Sequence, residues 1–336
     1  MKKRLISLFS ALAFLAAIAS ASALSAEAAS PSDLPCRAVK LIVPWGAGGG
    51  TDVIFRIVAR AAQKHLGKDI IVQNIGGQGG NKGAKVAKAS KPNGCTLFAG
   101  HDSMHTSYVQ GRVNFSFFAF EPLVLVTHTP SIIGAHPGVP WKTAKALVAD
   151  MKKNSGKKVL FGATLGSTSH FFPVLIEAGT GVKFKYVGYD GTRQRMTALL
   201  GKHIQLGELN ISSAKKYLGS GKLIGLGIAL EKRDSRLAFI EFHEHRVPTL
   251  KEQGINVVTG VNRGVFAPKG TPDNIQAIFE KAFGKAMKDP EVVKNLTAKG
   301  VIIQFKGRKG YSAFLKGSAA KITGAAKRVG LYKRSN

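Results

Sequence analysis

Two short loops hold the residue types that could do chemistry in this chain. Val43 to Asp52 reads VPWGAGGGTD, a glycine-rich turn set between an apolar run and a helical pattern. Its glycines let the backbone approach a ligand, and a helix beginning near Thr51 or Asp52 points free N–H groups and a partial positive charge at it. That is the chemistry of an anion site, with Gly46, Ala47, Gly48, Thr51 and Asp52 as candidate residues. Thr164 to Phe171 reads TLGSTSHF and offers hydroxyls and a second helix start. Its donors would be neutral ones, suited to carboxylate oxygens. Taken singly, the first loop is also what a plain chain turn looks like, and the second what an ordinary N-cap looks like. The pair says more, because the two loops fall in different halves of the chain.

Other chemistries fit poorly. The first loop lacks the Gly-Lys-Ser/Thr ending of a P-loop, and Thr51 stands where a GxGxxG counted from Gly46 needs its last glycine. No GxSxG nucleophile elbow occurs, and Ser167 and Ser169 lack that motif's flanking glycines. His101 and His105 are four apart, but HDSMH has no HExxH glutamate, and His243-Glu244-His245 lies in a charged stretch suited to solvent. The expectation is no catalytic residue, no metal and no cofactor. Lysine and arginine total 49 against 19 acidic residues, a formal charge of +30. The cations are spread along the whole chain without a basic arm, a helix-turn-helix or an aromatic-rich RNA motif, so nucleic acid is not an expected partner. A solvated basic surface that attracts anions or an anionic membrane face is the simpler reading.

The elements that would position the loops alternate between strand and helix. Val39 to Pro44 is a buried strand, and Val53, Ile54, Ile57, Val58, Ala61, Ala62 and Leu66 recur at helical spacing after the glycine loop. Asp69 to Gln73 and Cys95 to Ala99 are further strands. In the second half, Val159 to Gly162, Phe184 to Val187, Ile204 to Leu206 and Leu223 to Ile228 read as strands. Helices are expected over His170 to about Ala178, with Gly179 as C-cap, and over Arg193 to Leu200. Pro173 must lie in the first helical turn or kink the helix. Thr271-Pro272 and Asp289-Pro290 mark two late helix starts, so the C-terminal part is helical. This alternation indicates α/β lobes with mostly parallel sheets.

Lys2, Lys3 and Arg4, the apolar run from Leu5 to about Ile18 and the small residues Ser20 to Ala29 have the order of a secretory signal peptide. Cleavage after Ala21-Ser22-Ala23 or after Ala26-Glu27-Ala28 fits equally. About 310 residues remain, a length for two lobes and therefore a cleft. Outside the cytoplasm, Cys36 and Cys95 are expected to be bridged if their strands are parallel neighbours, and are otherwise two buried thiols.

The chain resembles the receptors of tripartite tricarboxylate transporters, often called Bug proteins. The resemblance rests on IVPWGAGGGTD, NIGGQGGNKGAKVA, PNGCTLFAG, LFGATLGSTSHF, GYDGTRQRMTALLGK, GVFAPKGTP and DPEVVKNL, in the family's order from roughly Val39 to Leu315. It implies a monomeric periplasmic receptor with a type II periplasmic-binding-protein, Venus-flytrap architecture that works with membrane subunits of a transporter. Residues 1–28 would be the signal peptide, 29–127 and 262–336 the first lobe, and 128–261 the second. The family's carboxylate site carries over to Gly46, Ala47, Gly48, Thr51 and Asp52 in the first lobe. In the second it carries over to Thr164, Gly166, Ser167, Thr168, Ser169 and His170, with His101, Ser103, Tyr189, Asp190 and Asn210 also lining the cleft. Departures bear on the ligand. Leu209 occupies a position where many relatives have an acid before the asparagine matching Asn210, leaving Glu208 or Asp190 to balance an amine. Asn262 and Arg263 replace an aromatic pair, and Arg263 could clamp a second carboxylate. The resemblance thus implies capture of a di- or tricarboxylate. A sensor or scavenger without a transporter, and an α/β enzyme, are the alternatives.

Overall fold

The computed structural model describes residues 30–154, 156, 158–234 and 247–334. The signal-peptide stretch and His243 to His245 lie outside the described residues.

Strand β1 (Ala38–Val43) carries Val39, Leu41, Ile42 and Val43, all buried, so both its faces are covered. Such a continuous apolar run suits a central parallel strand. Helix α1 (Gly50–Leu66) buries Ile54, Phe55, Val58, Ala59, Ala62 and Leu66 along one stripe and stops at Gly67, whose φ of 66° is the left-handed cap glycine tolerates. β2 (Asp69–Asn74), α2 (Asn81–Lys88), β3 (Thr96–His101) and α3 (Ser103–Val109) follow. β1 pairs in parallel with β2 on one side and β3 on the other. That pairing brings Cys36 and Cys95 together in a disulfide, with a Cα–Cα distance of 5.8 Å.

β4 (Phe120–Ala135) is 16 residues long and runs through the whole sheet. Up to Pro130 it pairs antiparallel with β9, and from Ser131 it pairs antiparallel with β7 and β8. Around its second half lie α4 (Ala144–Lys153), β5 (Leu160–Ala163), α5 (Thr168–Thr180), β6 (Lys185–Gly188), α6 (Thr192–Leu200), β7 (Leu206–Asn210), α7 (Ile211–Gly219) and β8 (Ile224–Ile228). The chain then returns as β9 (Gly260–Pro268) and closes with α8 (Asp273–Ala286), α9 (Pro290–Ala298), β10 (Ile302–Lys306) and α10 (Arg308–Arg328). The main strand order is β2-β1-β3-β9-β4-β7-β5-β6, with β8 and β10 also on β4.

Each half of the sheet has its own core. Phe55, Val58, Leu97, Val126, Phe279 and Phe283 fill the first, and Trp141, Leu147, Phe161, Phe172 and Leu206 the second. The sequence expectation of mostly parallel sheets is corrected here. Parallel pairing holds for β1 with β2 and β3, and for β5 with β6 and β7, but every described pairing of β4 and β9 is antiparallel. A chain that enters a second half and comes back must run its connecting strands in opposite directions. Helix α5 also runs longer than expected. It begins at Thr168, so Pro173 lies past the first turn, and its C-cap is Gly181 at φ 82° rather than Gly179. Among the described residues no helix is long and apolar enough to cross a membrane.

Candidate functional site

Parallel strands deliver the helices that follow them with their N-termini on one side of the sheet, and ligands bind there in open α/β folds. In this chain four such N-termini converge on one cleft of about 550 Å³. Gly49, Gly50 and Thr51 belong to the start of α1, and Ser167, Thr168 and Ser169 to the start of α5. Gly191, Thr192 and Arg193 open α6, and Asn210 caps α7 by accepting the Ser212 N–H on Oδ1 at 3.1 Å. Each terminus contributes unpaired N–H groups and a partial positive charge.

The glycine loop is held from beneath. Asp52 accepts the Gly48 N–H at 2.9 Å, Arg56 Nε at 2.9 Å and Asn74 Nδ2 at 2.9 Å. Burial would raise its pKa, but these three donors outweigh it and hold the carboxyl below its ordinary value. Asp52 is therefore an anchor of the loop. Gly50 makes the cleft narrow: a Cβ there would stand 2.3 Å from Asn210 Oδ1 across the gap. Trp45 stacks on His101 with ring centroids 3.9 Å apart and an interplanar angle of 6°. His101 Nδ1 accepts the Ser103 N–H at 3.1 Å, which leaves the proton on Nε2. Burial, then the nearby Arg263 charge, push its pKa well below the usual histidine value, so the ring is a neutral donor.

The two buried arginines of the cleft are used differently. Arg195 is spent on the protein: Nη2 meets Glu208 Oε2 at 2.6 Å, Nε the Glu208 carbonyl at 3.0 Å and Nη1 Thr164 Oγ1 at 2.8 Å. Arg263 donates from Nε to Thr51 Oγ1 at 3.0 Å and from Nη1 to Thr129 Oγ1 at 2.8 Å. It is 2% exposed and lines the cleft, yet has no carboxylate within ion-pair distance among the described residues. Burial lowers its pKa to about 10, partly offset by the more distant Glu208 and Asp102, and it stays cationic at neutral pH. A buried cation without a counter-ion is costly, and a bound anion would relieve that cost.

Of the residues singled out in the sequence, the cleft gathers Gly46, Ala47, Thr51, His101, Thr164, Ser167, Thr168, Ser169, Asp190, Asn210 and Arg263. Gly48, Asp52, Ser103, Gly166, His170 and Tyr189 do not line it. The Gly166 carbonyl instead accepts Thr106 Oγ1 at 3.0 Å and Ser107 Oγ at 3.2 Å, joining the two halves beside the cleft. His170 packs edge-on to Tyr186 and Tyr189 packs within the second half. Ser103 turns its N–H to His101, away from any ligand role through that group. Strand alternation explains the pair at Leu209: in β7 Glu208 and Asn210 face the cleft while Leu209 is buried among Ile132, Leu199 and Ile211. Glu208 is not free to balance an amine, because Arg195 holds it.

Sequence reasoning passed over Trp45, Gly76, Gly77, Thr192, Arg193, Arg195 and Val261, which also line the cleft. A signal existed for the arginines. Cations in the first turn of α6 work against the helix dipole, so their placement asks for another reason.

Residues 54–331 match the family model of the tripartite tricarboxylate transporter family receptor. The UPF0065 protein in the gbd 5' region of Cupriavidus necator is 30% identical over 329 residues, covering 95% of this chain and 97% of that one. The structure of the periplasmic binding protein BugD superposes with a TM-score of 0.82 at 27% identity, over 89% of this chain and 100% of the other. MatC of Rhodopseudomonas palustris with bound malate gives 0.79 at 25% identity, over 87% and 99%.

Proposed function

The chain belongs to the tripartite tricarboxylate transporter receptor family, and on that premise we propose that it is an extracytoplasmic receptor that captures a small di- or tricarboxylate and passes it to the membrane subunits of a transporter. It is exported through its N-terminal segment, acts as a monomer and makes or breaks no covalent bond. The observation that carries the ligand class is Arg263, a buried cation facing a cleft where four helix N-termini meet, with no carboxylate partner among the described residues.

One carboxylate of the ligand sits against Arg263, Thr51 and the neutral His101, and the other takes N–H and hydroxyl donors from the starts of α1 and α5. The two lobes, residues 29–127 with 262–336 and residues 128–261, close on it, trading bound water for fixed donors. Malate in the related MatC structure supports a hydroxy-dicarboxylate as a first ligand to try.

Calorimetry with malate, succinate, citrate and adipate, beside their diamides, tests the reading. Heats of binding for the acids and none for the diamides are expected. If only neutral or cationic solutes bind, the proposal fails.

A further inference from the structure

The +30 charge has a local extreme that carboxylate capture in the cleft does not use. From Val292 to the C-terminus the chain carries eleven lysines and arginines and no aspartate or glutamate. Most of that charge is displayed by α10, which spans 21 residues, about 31 Å at 1.5 Å per residue. Tyr311, Leu315, Ala319 and Ala326 are its buried stripe. Lys309, Lys316 and Lys327 stand at spacings of seven and eleven, which return to one side of a 3.6-residue helix, about 110° round from that stripe. Lys321 and Arg328 flank them, and all five are exposed. Between them the exposed positions are Gly310, Ala313, Gly317 and Ala320, so the cations stand out from small residues, and Ala313, Gly317, Lys321 and Arg328 also border a second cavity of about 1030 Å³. Lys309, Lys316 and Lys321 have no carboxylate partner among the described residues, and Lys327 lies over the Tyr332 ring at 5.1 Å.

We propose that this outer face of α10 docks the protein, reversibly, on the headgroup plane of an anionic lipid bilayer. A protein partner fits it less well: specific protein interfaces deplete lysine and rely on buried aromatic or arginine anchors, and this face has no exposed aromatic between its lysines. A planar field of phosphates needs no anchor. Each lysine near such a surface strengthens binding about fivefold, so several together suffice for a weak, salt-sensitive association. The inference is independent of what the cleft holds.

The test uses the chain from Ala29 onward, which keeps every described residue and leaves out the apolar leader. Sedimentation with vesicles containing about a third phosphatidylglycerol is compared with pure phosphatidylcholine, at low and high salt. Binding to the anionic vesicles alone, abolished by salt, is expected. The variant K309Q/K316Q/K321Q should lose on the order of a hundredfold in partitioning, while K145Q/K152Q/K153Q on α4 should lose only a few-fold, with both melting like the parent. Equal losses in the two variants would mean that net charge alone is responsible and would overturn the assignment to α10. So would equal binding to neutral vesicles, no binding to anionic ones, or binding to soluble polyglutamate as tight as to the vesicles.

Discussion

The proposed preference for dicarboxylates rests on a single side chain. Arg263 donates to two hydroxyls and, unlike Arg195, has no carboxylate partner among the described residues, so its removal should act on charge recognition before it acts on folding. Arg263→Ala is expected to weaken a dicarboxylate on the order of a hundredfold and a monocarboxylate far less, measured by calorimetry. Equal losses for both would refute the clamp. Arg195 and Glu208 should behave in the opposite way. Both are nearly inaccessible and bonded to each other, so Glu208→Ala leaves an uncompensated charge and should cost about 3–5 kcal/mol of stability in urea melts, whereas Arg195→Met with Glu208→Leu should cost much less. At this scale the sequence was informative about residue type and mute about orientation. Arg263 stood out because it replaces an aromatic, but nothing in a linear reading shows that Glu208 is taken by a residue thirteen positions earlier. Asp52 misled for a related reason: an acid at a helix start is either ligand-facing or a loop anchor, and only its contacts to Arg56 and Asn74 tell which.

Helix starts are the elements that make the site, and the glycines before them set how near the halves can come. Gly50 is the sharpest case. In an open protein Gly50→Ala lies in the first turn of α1, where alanine favours the helix by up to about 1 kcal/mol. With the two halves placed as they are in the structure, its Cβ would stand 2.3 Å from Asn210 Oδ1, so it would resist that approach. The expected outcome is an unchanged or higher melting temperature without ligand together with at least a tenfold weaker ligand, read by thermal shift and calorimetry on the same sample. A fall in both would show that the residue matters to folding rather than to closure. The α1 and α5 starts were readable in sequence because glycines and hydroxyls cluster before an apolar repeat. The Arg193 to Leu200 pattern gives a helix at α6 but no sign that its start joins the cleft, and β4 carries no readable strand pattern. In β4, Pro122, His128 and Pro130 break the apolar run of FEPLVLVTHTPSIIGA. Prolines ordinarily exclude an interior strand, and here Pro122 sits at a register shift and Pro130 at the point where β4 changes partners. A strand shared by two half-sheets does not have to look like a strand of either.

For the molecule as a whole, stability rests on two cores joined by shared strands and on one disulfide, while a set of histidines held in their neutral form works against it at low pH. The Cys36–Cys95 bridge closes a loop of 59 residues, and Cys36→Ser with Cys95→Ser should lower stability by about 2–4 kcal/mol without changing ligand specificity, since the bridge lies at the strand starts and not among the cleft residues. The pH dependence has a definite sign. Burial pushes His105 down to about 4, and burial with the Arg112 charge does the same to His170. Each ring holds fewer protons folded than unfolded, where its pKa is about 6.5. Folding therefore carries no proton-linked penalty above about 6.5, and stability declines as pH falls from there toward about 4. Asp52 adds to the loss lower down: its depressed pKa contributes stability above the unfolded carboxylate value that disappears as pH falls through the folded one. Urea midpoints taken between pH 7 and pH 4 should thus fall steadily, and His105→Gln with His170→Gln should make that limb shallower, with His101 and His128 supplying the rest and the acid limb of Asp52 left in place. If the double variant retained the full slope between pH 6.5 and 4, the source would have to be His101 and His128, whose pKa values burial also lowers.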